Sequence, residues 1–171
     1  NTPLKSLISF SMNKQNFYDL NFDQLKNFLI EKAEIDDKKA KMRAQQMFNA
    51  VYKKNIKNFD ELTTFGLELR EKIKKLISLD KPKIIDIQKS KDGTIKFLLE
   101  LKDKRNVETV LIPDKSQSRY TICLSVSVGC YLSCEFCATA QISKKLVRNL
   151  TPGEIISQII LCKDYINDWS T

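Results

Sequence analysis

The chain has no histidine among its 171 residues. Any metal site it builds must therefore close with cysteine or carboxylate ligands. It has no apolar run near the roughly 18 to 20 residues that cross a bilayer, so no membrane association is expected. The opening stretch NTPLKSLISFSM is too weakly apolar for a signal peptide and offers no small-residue cleavage site. The first residue is Asn1 rather than methionine. Met12 is an alternative start that would leave residues 1–11 as a tail, and a fragment of a longer protein fits equally well. Five cysteines, three of them clustered, do not make a secreted disulfide frame, so a reducing cytoplasm is expected. There is no internal repeat, and no low-complexity tract beyond short lysine runs.

What is present is ordinary for a globular protein except in its charge. Hydrophobic residues make up 42% and charged residues 29%, but Lys and Arg number 29 against 21 acids, a net charge of +8. That balance favours an acidic partner, nucleic acid first. A generally lysine-rich proteome gives the same balance.

Residues 17–80 read as a small helical bundle. NFDQLKNFLIEKA sets Leu25, Phe28, Leu29 and Ala33 on one helical face, with Asn21 as cap and Gln24 in the capping-box position. DDKKAKMRAQQMFNAVYKK starts at Asp36 or Asp37 and carries Met47, Phe48, Val51 and Tyr52 as its apolar stripe. NFDELTTF is a short third element, and LELREKIKKLISL a fourth, with Leu69, Ile73, Leu76 and Ile77 inward. Lys81-Pro82 breaks the pattern, and the period changes to two. KIIDIQKS and TIKFLLEL flank a tight turn at Asp92-Gly93, and DKR turns into NVETVLI. This predicts a three-strand meander over 83–112, ended by Pro113 and followed by a linker, DKSQSR.

YTICLSVSV, bounded by Gly129, reads as a buried strand. LTPGEIISQIILCKDYI reads as a helix capped by Thr151, with Pro152 at its first position, Glu154 completing a capping box, and Ile155, Ile156, Ile159, Ile160 and Tyr165 at helical spacing. The order strand, loop, helix predicts the first β/α unit of a parallel α/β domain.

Between that strand and helix lies GCYLSCEFCATA, with Cys130, Cys134 and Cys137 at Cys-x3-Cys-x2-Cys spacing. Three thiolates this close suit zinc or an iron–sulfur cluster. Structural zinc wants four protein ligands, and the fourth here would be Cys123, Cys162 or a carboxylate. A 4Fe–4S cluster held by three cysteines leaves one iron open for a substrate or cofactor. The residues alone favour the cluster and leave zinc open.

The spacing, with an aromatic residue before the last cysteine, resembles the radical S-adenosylmethionine (SAM) superfamily. VETVLIP, TICLSVSVGCYLSCEFCATA and RNLTPGEIISQI together resemble the bacterial dual-specificity rRNA/tRNA adenine-C2 methyltransferases. NFYDLNFDQLKNFL, KMRAQQMFNAVYKK and NFDELT resemble their helical accessory domain. The resemblance spans about residues 16–171.

The resemblance implies an α+β then α/β fold: a tail at 1–15, a helical accessory RNA-binding domain at 16–81, a β-meander at 82–115 and, at 116–171, the incomplete start of a radical SAM partial (β/α) barrel. It implies that Cys130, Cys134 and Cys137 hold a 4Fe–4S cluster whose fourth iron chelates SAM, and that Phe136 lies near the SAM adenine. It further implies methylation of adenine C2 in 23S rRNA and tRNA through a 5′-deoxyadenosyl radical and a methyl-cysteine intermediate. Glu108 matches the proton acceptor, and Cys123 the cysteine that forms a transient disulfide to free the product. An electron donor of flavodoxin or ferredoxin type and a monomeric, cytoplasmic enzyme go with it. The methyl-carrying cysteine and later SAM contacts are expected beyond Thr171, so the fragment alone is expected to be inactive.

Cys162 matches no family role and reads as core. Lys38, Lys39, Lys41, Arg43, Lys53, Lys54 and Lys57 are candidate RNA contacts or a solvated helix face. Ser127 and Met42 depart from the family pattern, and the segments 108–123 and 137–148 are each about two residues longer than usual. A C8-specific rRNA methyltransferase and a non-enzymatic RNA-binding module with structural zinc are the competing readings.

Overall fold

The computed structural model describes residues 14–114, 116, 119–132, 134–137 and 147–167. Each expected helix forms, and the caps explain where. Helix α1, Phe22–Glu31, begins at Asn21, whose side chain accepts from the Gln24 amide while the Gln24 side chain accepts from the Asn21 amide. Helix α2, Asp37–Phe48, is capped by Asp36 and runs on into a π-helical turn at Asn49–Lys53. A 3-10 turn at Phe59–Glu61 carries its own capping box from Asn58 and Glu61. Helix α3, Leu67–Leu76, follows.

The apolar faces of these helices close on one another, with Leu25, Leu29, Met47 and Ile73 fully buried. Each such side chain contributes about 1.5–3 kcal/mol by leaving water. Phe17, in a 3-10 turn at Phe17–Asp19, packs its ring at a tilt against Phe48 and Tyr52. Ile77 belongs not to the fourth helix but to a short strand. Gln15–Asn16 (β1) and Ile77–Ser78 (β2) pair in parallel, so Gln15 is part of the folded unit rather than a tail.

The β region differs from the expected meander. Four strands, not three, form one antiparallel sheet in sequence order: β3 Lys83–Lys89, β4 Ile95–Glu100, β5 Asn106–Asp114 and β6 Arg119–Cys123. Gly93 supports the first turn with a φ of +96°, a region open chiefly to glycine. Pro113 does not end β5; it pairs with Tyr120. The pairing of β4 with β5 stops at Ile95 opposite Leu111, so Pro113 lies where its strand has a single neighbour, the place a sheet tolerates proline. Asp114 and Arg119, the two ends of the presumed linker, are strand residues paired with each other and joined by an ion pair. The sheet therefore draws its fourth strand from beyond residue 115.

The segment read as one buried parallel strand is divided. Arg119–Cys123 is antiparallel and mostly exposed. Residues 124–126 are not strand, and Ser127–Val128 (β7) pairs antiparallel with Arg148–Asn149 (β8). A short β-branched apolar run does not state its neighbour's direction, and here the preceding hairpin decided it. Helix α4, Pro152–Ile166, has the expected Thr151 and Glu154 capping box.

Helix α4 joins the two halves. Ile156 and Ile160 pack into the helical core, while Ile155, Cys162 and Tyr165 pack against Phe97, Leu99 and Leu111 of the sheet. At its start the Gly153 amide donates to Asp19 at 2.7 Å. Near its end Asp164 accepts from Asn55 at 2.9 Å, Lys57 at 2.6 Å and Lys81 at 2.7 Å. No helix among the described residues is long and apolar enough to cross a membrane.

Candidate functional site

Pairing register places the two candidate catalytic side chains together. Cys123 lies directly opposite Val110, and Glu108 is two residues before Val110. Side chains alternate along a strand, so Glu108, Val110 and Cys123 share one face as diagonal neighbours. That face is the open one: Glu108 and Cys123 are exposed, whereas Val107, Thr109 and Leu111 are buried on the opposite face against α4. Lys96 also faces outward, opposite Val110, and its Nζ lies 3.0 Å from Glu108 Oε1. This ion pair orients the carboxylate.

The cysteine loop starts at the β7–β8 ribbon. Gly129 adopts a φ of +77°, which turns the chain away from the ribbon at little steric cost, and the Ser127 hydroxyl donates to the Gly129 carbonyl at 3.0 Å. The Leu132 amide donates to Cys130 Sγ at 3.4 Å, and the Cys137 amide to the Cys134 carbonyl at 3.1 Å. The first of these contacts aims a backbone N–H at a cysteine sulfur and fixes its direction on the turn. The three thiols are half-buried, and none of the five cysteines is in a disulfide.

Cys123 is an exposed thiol in no disulfide, and Cys162 lies buried with its pKa pushed up to about 11 by desolvation. Among the described residues no three Cys, Asp or Glu side chains converge closely enough to hold a metal ion. The donor set nevertheless suits a cluster, with three thiols on one short turn and one already receiving an N–H. Structural zinc wants four closed protein ligands, and among the described residues no such set converges. Phe136 is 91% exposed, on the same turn.

The far end of the loop returns through Arg148. Its guanidinium makes two 2.8 Å bonds to the Glu154 carboxylate, and Nε reaches Asp103 at 2.9 Å. Burial would raise the Glu154 pKa, but the Arg148 bonds overturn that and leave it lowered. Glu154 also accepts from the Thr151 amide, so one carboxylate both caps α4 and fixes the returning strand.

Sequence reasoning missed Arg148, Lys96, Ser125 and Gln158. Gln158 had a visible signal, a lone amide inside the apolar run IISQIIL. The others emerge only from tertiary pairing.

Two of the candidate RNA contacts have structural partners. Arg43 lies over the Phe65 ring at 4.9 Å and donates to the Thr64 carbonyl, and Lys57 binds Asp164. Lys38, Lys39, Lys41, Lys53 and Lys54 are exposed.

This arrangement of helical unit, sheet and cysteine loop has a solved counterpart. The crystal structure of a radical SAM methyltransferase from Sphaerobacter thermophilus superposes with a TM-score of 0.75 at 30% identity, over 90% of this chain and 42% of that one. The fold is thus that of the corresponding part of a radical SAM methyltransferase. Residues 15–79 match the family profile described as the ribosomal RNA large subunit methyltransferase N-terminal domain. Two proteins named dual-specificity RNA methyltransferase RlmN are each 41% identical. The one from Novosphingobium aromaticivorans aligns over 82% of this chain and 32% of its own length. The one from Oleidesulfovibrio alaskensis aligns over 88% of this chain and 40% of its own. The chain is a relative of the dual-specificity RNA methyltransferase family, and it spans about a third to two fifths of the length of these relatives.

Proposed function

We propose that this chain is the accessory and cluster-bearing part of a radical SAM enzyme that methylates C2 of adenine in 23S rRNA and tRNA. The carrying observation is the placement of Glu108 and Cys123 side by side on the open sheet face, on the strands that lead into the cysteine loop. In this reading Cys130, Cys134 and Cys137 hold a 4Fe–4S cluster. With SAM and one electron from a flavodoxin- or ferredoxin-type donor, that group supplies a carbon-centred radical, which an electron-poor carbon such as C2 requires because it is no nucleophile.

The chain's own residues do the rest. Phe136 packs against the adenine of SAM. Glu108, held by Lys96, accepts the proton that leaves C2. Cys123, exposed one position along the same face, forms a disulfide with the methyl-carrying cysteine of the family reaction as the product is freed. The exposed lysines of α2 and the π-helical turn meet RNA phosphates. The enzyme works as a monomer in the cytoplasm.

Anaerobic reconstitution of the chain with iron and sulfide tests the reading. One cubane cluster per chain is expected, with an EPR signal in the reduced state that SAM perturbs. Stoichiometric zinc and no cluster would overturn it. Mass spectrometry of RNA modified by the active enzyme distinguishes C2 from C8.

A further inference from the structure

We infer that Gln158 is a positioning residue: acting through Ser125, it sets Glu108 and Cys123 in register with the cysteine loop. The inference rests on the proposed function for its chemistry, but its geometry stands alone. Strand β6 pairs as far as Cys123, and β7 begins at Ser127. Between them the chain leaves one sheet for another, and its backbone groups need partners.

Gln158 supplies them. It is fully buried. Its Oε1 accepts from the Ser125 amide at 3.0 Å and from the Thr109 hydroxyl at 2.7 Å. Its Nε2 donates to the Ser125 carbonyl at 2.9 Å and to the Glu154 carbonyl at 3.1 Å. A carboxamide has two donors and two lone pairs, and all four are used. Binding both the N–H and the C=O of one residue is how an antiparallel neighbour holds its partner. Gln158 therefore stands in for a missing strand at the point where the chain changes sheets.

The hold then passes to the candidate chemistry. The Ser125 hydroxyl donates to the Glu108 carbonyl at 2.7 Å. Two residues before Ser125 is Cys123, and four after it is Gly129, where the cysteine loop begins. One side chain from α4 thus fixes the proton acceptor's strand, the exposed thiol and the root of the loop relative to one another. A leucine at 158 would fill similar space and suit its apolar neighbours Ile155 and Cys162. It would tie the helix to the sheet by packing, and it would hold Ser125 by nothing.

Gln158→Leu, Ser125→Ala and Ser125→Thr, made in this chain, separate positioning from mere attachment. In Gln158→Leu, hydrogen exchange of the Ser125 amide should rise about tenfold or more from the lost bond, with the amides of α1 to α3 unchanged. After anaerobic reconstitution, Ser125→Ala should bind as much iron as the parent and keep its thermal midpoint. Its reduced-cluster EPR signal with SAM should nonetheless be shifted or broadened, and Ser125→Thr should restore the parent signal. Should Gln158→Leu fail to fold, the serine pair still decides through the spectrum. Parent-like EPR spectra in Ser125→Ala, or parent-like exchange in Gln158→Leu, would reduce Gln158 to a packing contact. A parent chain that takes up zinc and no cluster overturns the proposed function instead, and the exchange measurement on metal-free protein still judges Gln158.

Discussion

The helical part of the molecule and the segment that carries the cysteines treat apolar side chains in opposite ways. In the first, Phe17, Leu25, Leu29, Met47 and Ile73 are sealed from solvent. In the second, Val126, Tyr131, Leu132 and Phe136 stand open, at 61%, 78%, 69% and 91% exposure. The helical unit draws its stability from burying its own surface. The cysteine segment is shaped instead by polar contacts at its root: the turn at Gly129, the bonds within the loop, and the amide of Gln158. A region organised in that way keeps its apolar surface for something other than its own core, so disturbing it should affect binding far more than stability.

The largest effect that would sharpen this contrast is on iron. Cys130→Ala, Cys134→Ala and Cys137→Ala should each abolish cluster binding in an iron and sulfide assay. The metal-free thermal midpoint should stay unchanged, because these thiols contribute little packing. Cys123→Ala and Cys162→Ala should keep their iron. Loss of iron in Cys162→Ala with retention in Cys137→Ala would reverse the ligand assignment.

The reverse behaviour is expected where α4 meets the helical unit. A Cβ at Gly153 would sit 2.5 Å from Asp19 Oδ1 and 3.0 Å from the Asp19 amide nitrogen. Gly153→Ala should cost about 1–3 kcal/mol by overpacking, read from the urea midpoint, with iron uptake preserved. At the other end, Asp164→Asn should cost about 1–3 kcal/mol, since it weakens charged hydrogen bonds to two lysines. The pH dependence gives this a second signature. Burial would raise the Asp164 pKa, but the bonds from Lys57, Lys81 and Asn55 hold it down to about 2. A depressed carboxylate stabilises the fold above its unfolded value, about 4, and loses that contribution as pH falls toward about 2. The stability difference between parent and Asp164→Asn should therefore shrink over that window in urea titrations.

The smallest effect concerns the exposed lysines. Lys38→Gln, Lys41→Gln and Lys53→Gln should leave stability within about 0.5 kcal/mol of the parent. If they touch phosphates, each should reduce the salt-dependence slope of RNA binding by about 1. An unchanged slope would mark them as a solvated face.

Local signals were legible and pairings were not. The capping boxes at Asn21 and Gln24 and at Thr151 and Glu154 depend on residues three apart, and both stand as read. The cysteine spacing is also local and pointed to the superfamily, and the sequence blocks that flank it pointed to the family. The antiparallel place of Arg119–Cys123 is a matter between strands, and neither its composition nor its period encodes a neighbour's direction. Gln158 was visible as a polar interruption, yet its four partners come from β5, residue 125 and its own helix. Arg43 and Lys57 read as surface charge because Phe65 and Asp164, which hold them, lie far along the chain.

The β7–β8 ribbon has a consequence for how the cysteine loop can vary. Val128 and Arg148 are directly paired, and Arg148 is locked to Glu154 and Asp103. Departure and return points are thus fixed neighbours, whatever chain runs between them. The entropic cost of joining two fixed points grows only with the logarithm of the length between them, so two further residues in a connection of this size add about 0.1 kcal/mol. Added length between Cys137 and Arg148 would therefore be nearly free in stability, and length there can be set by what the loop must reach.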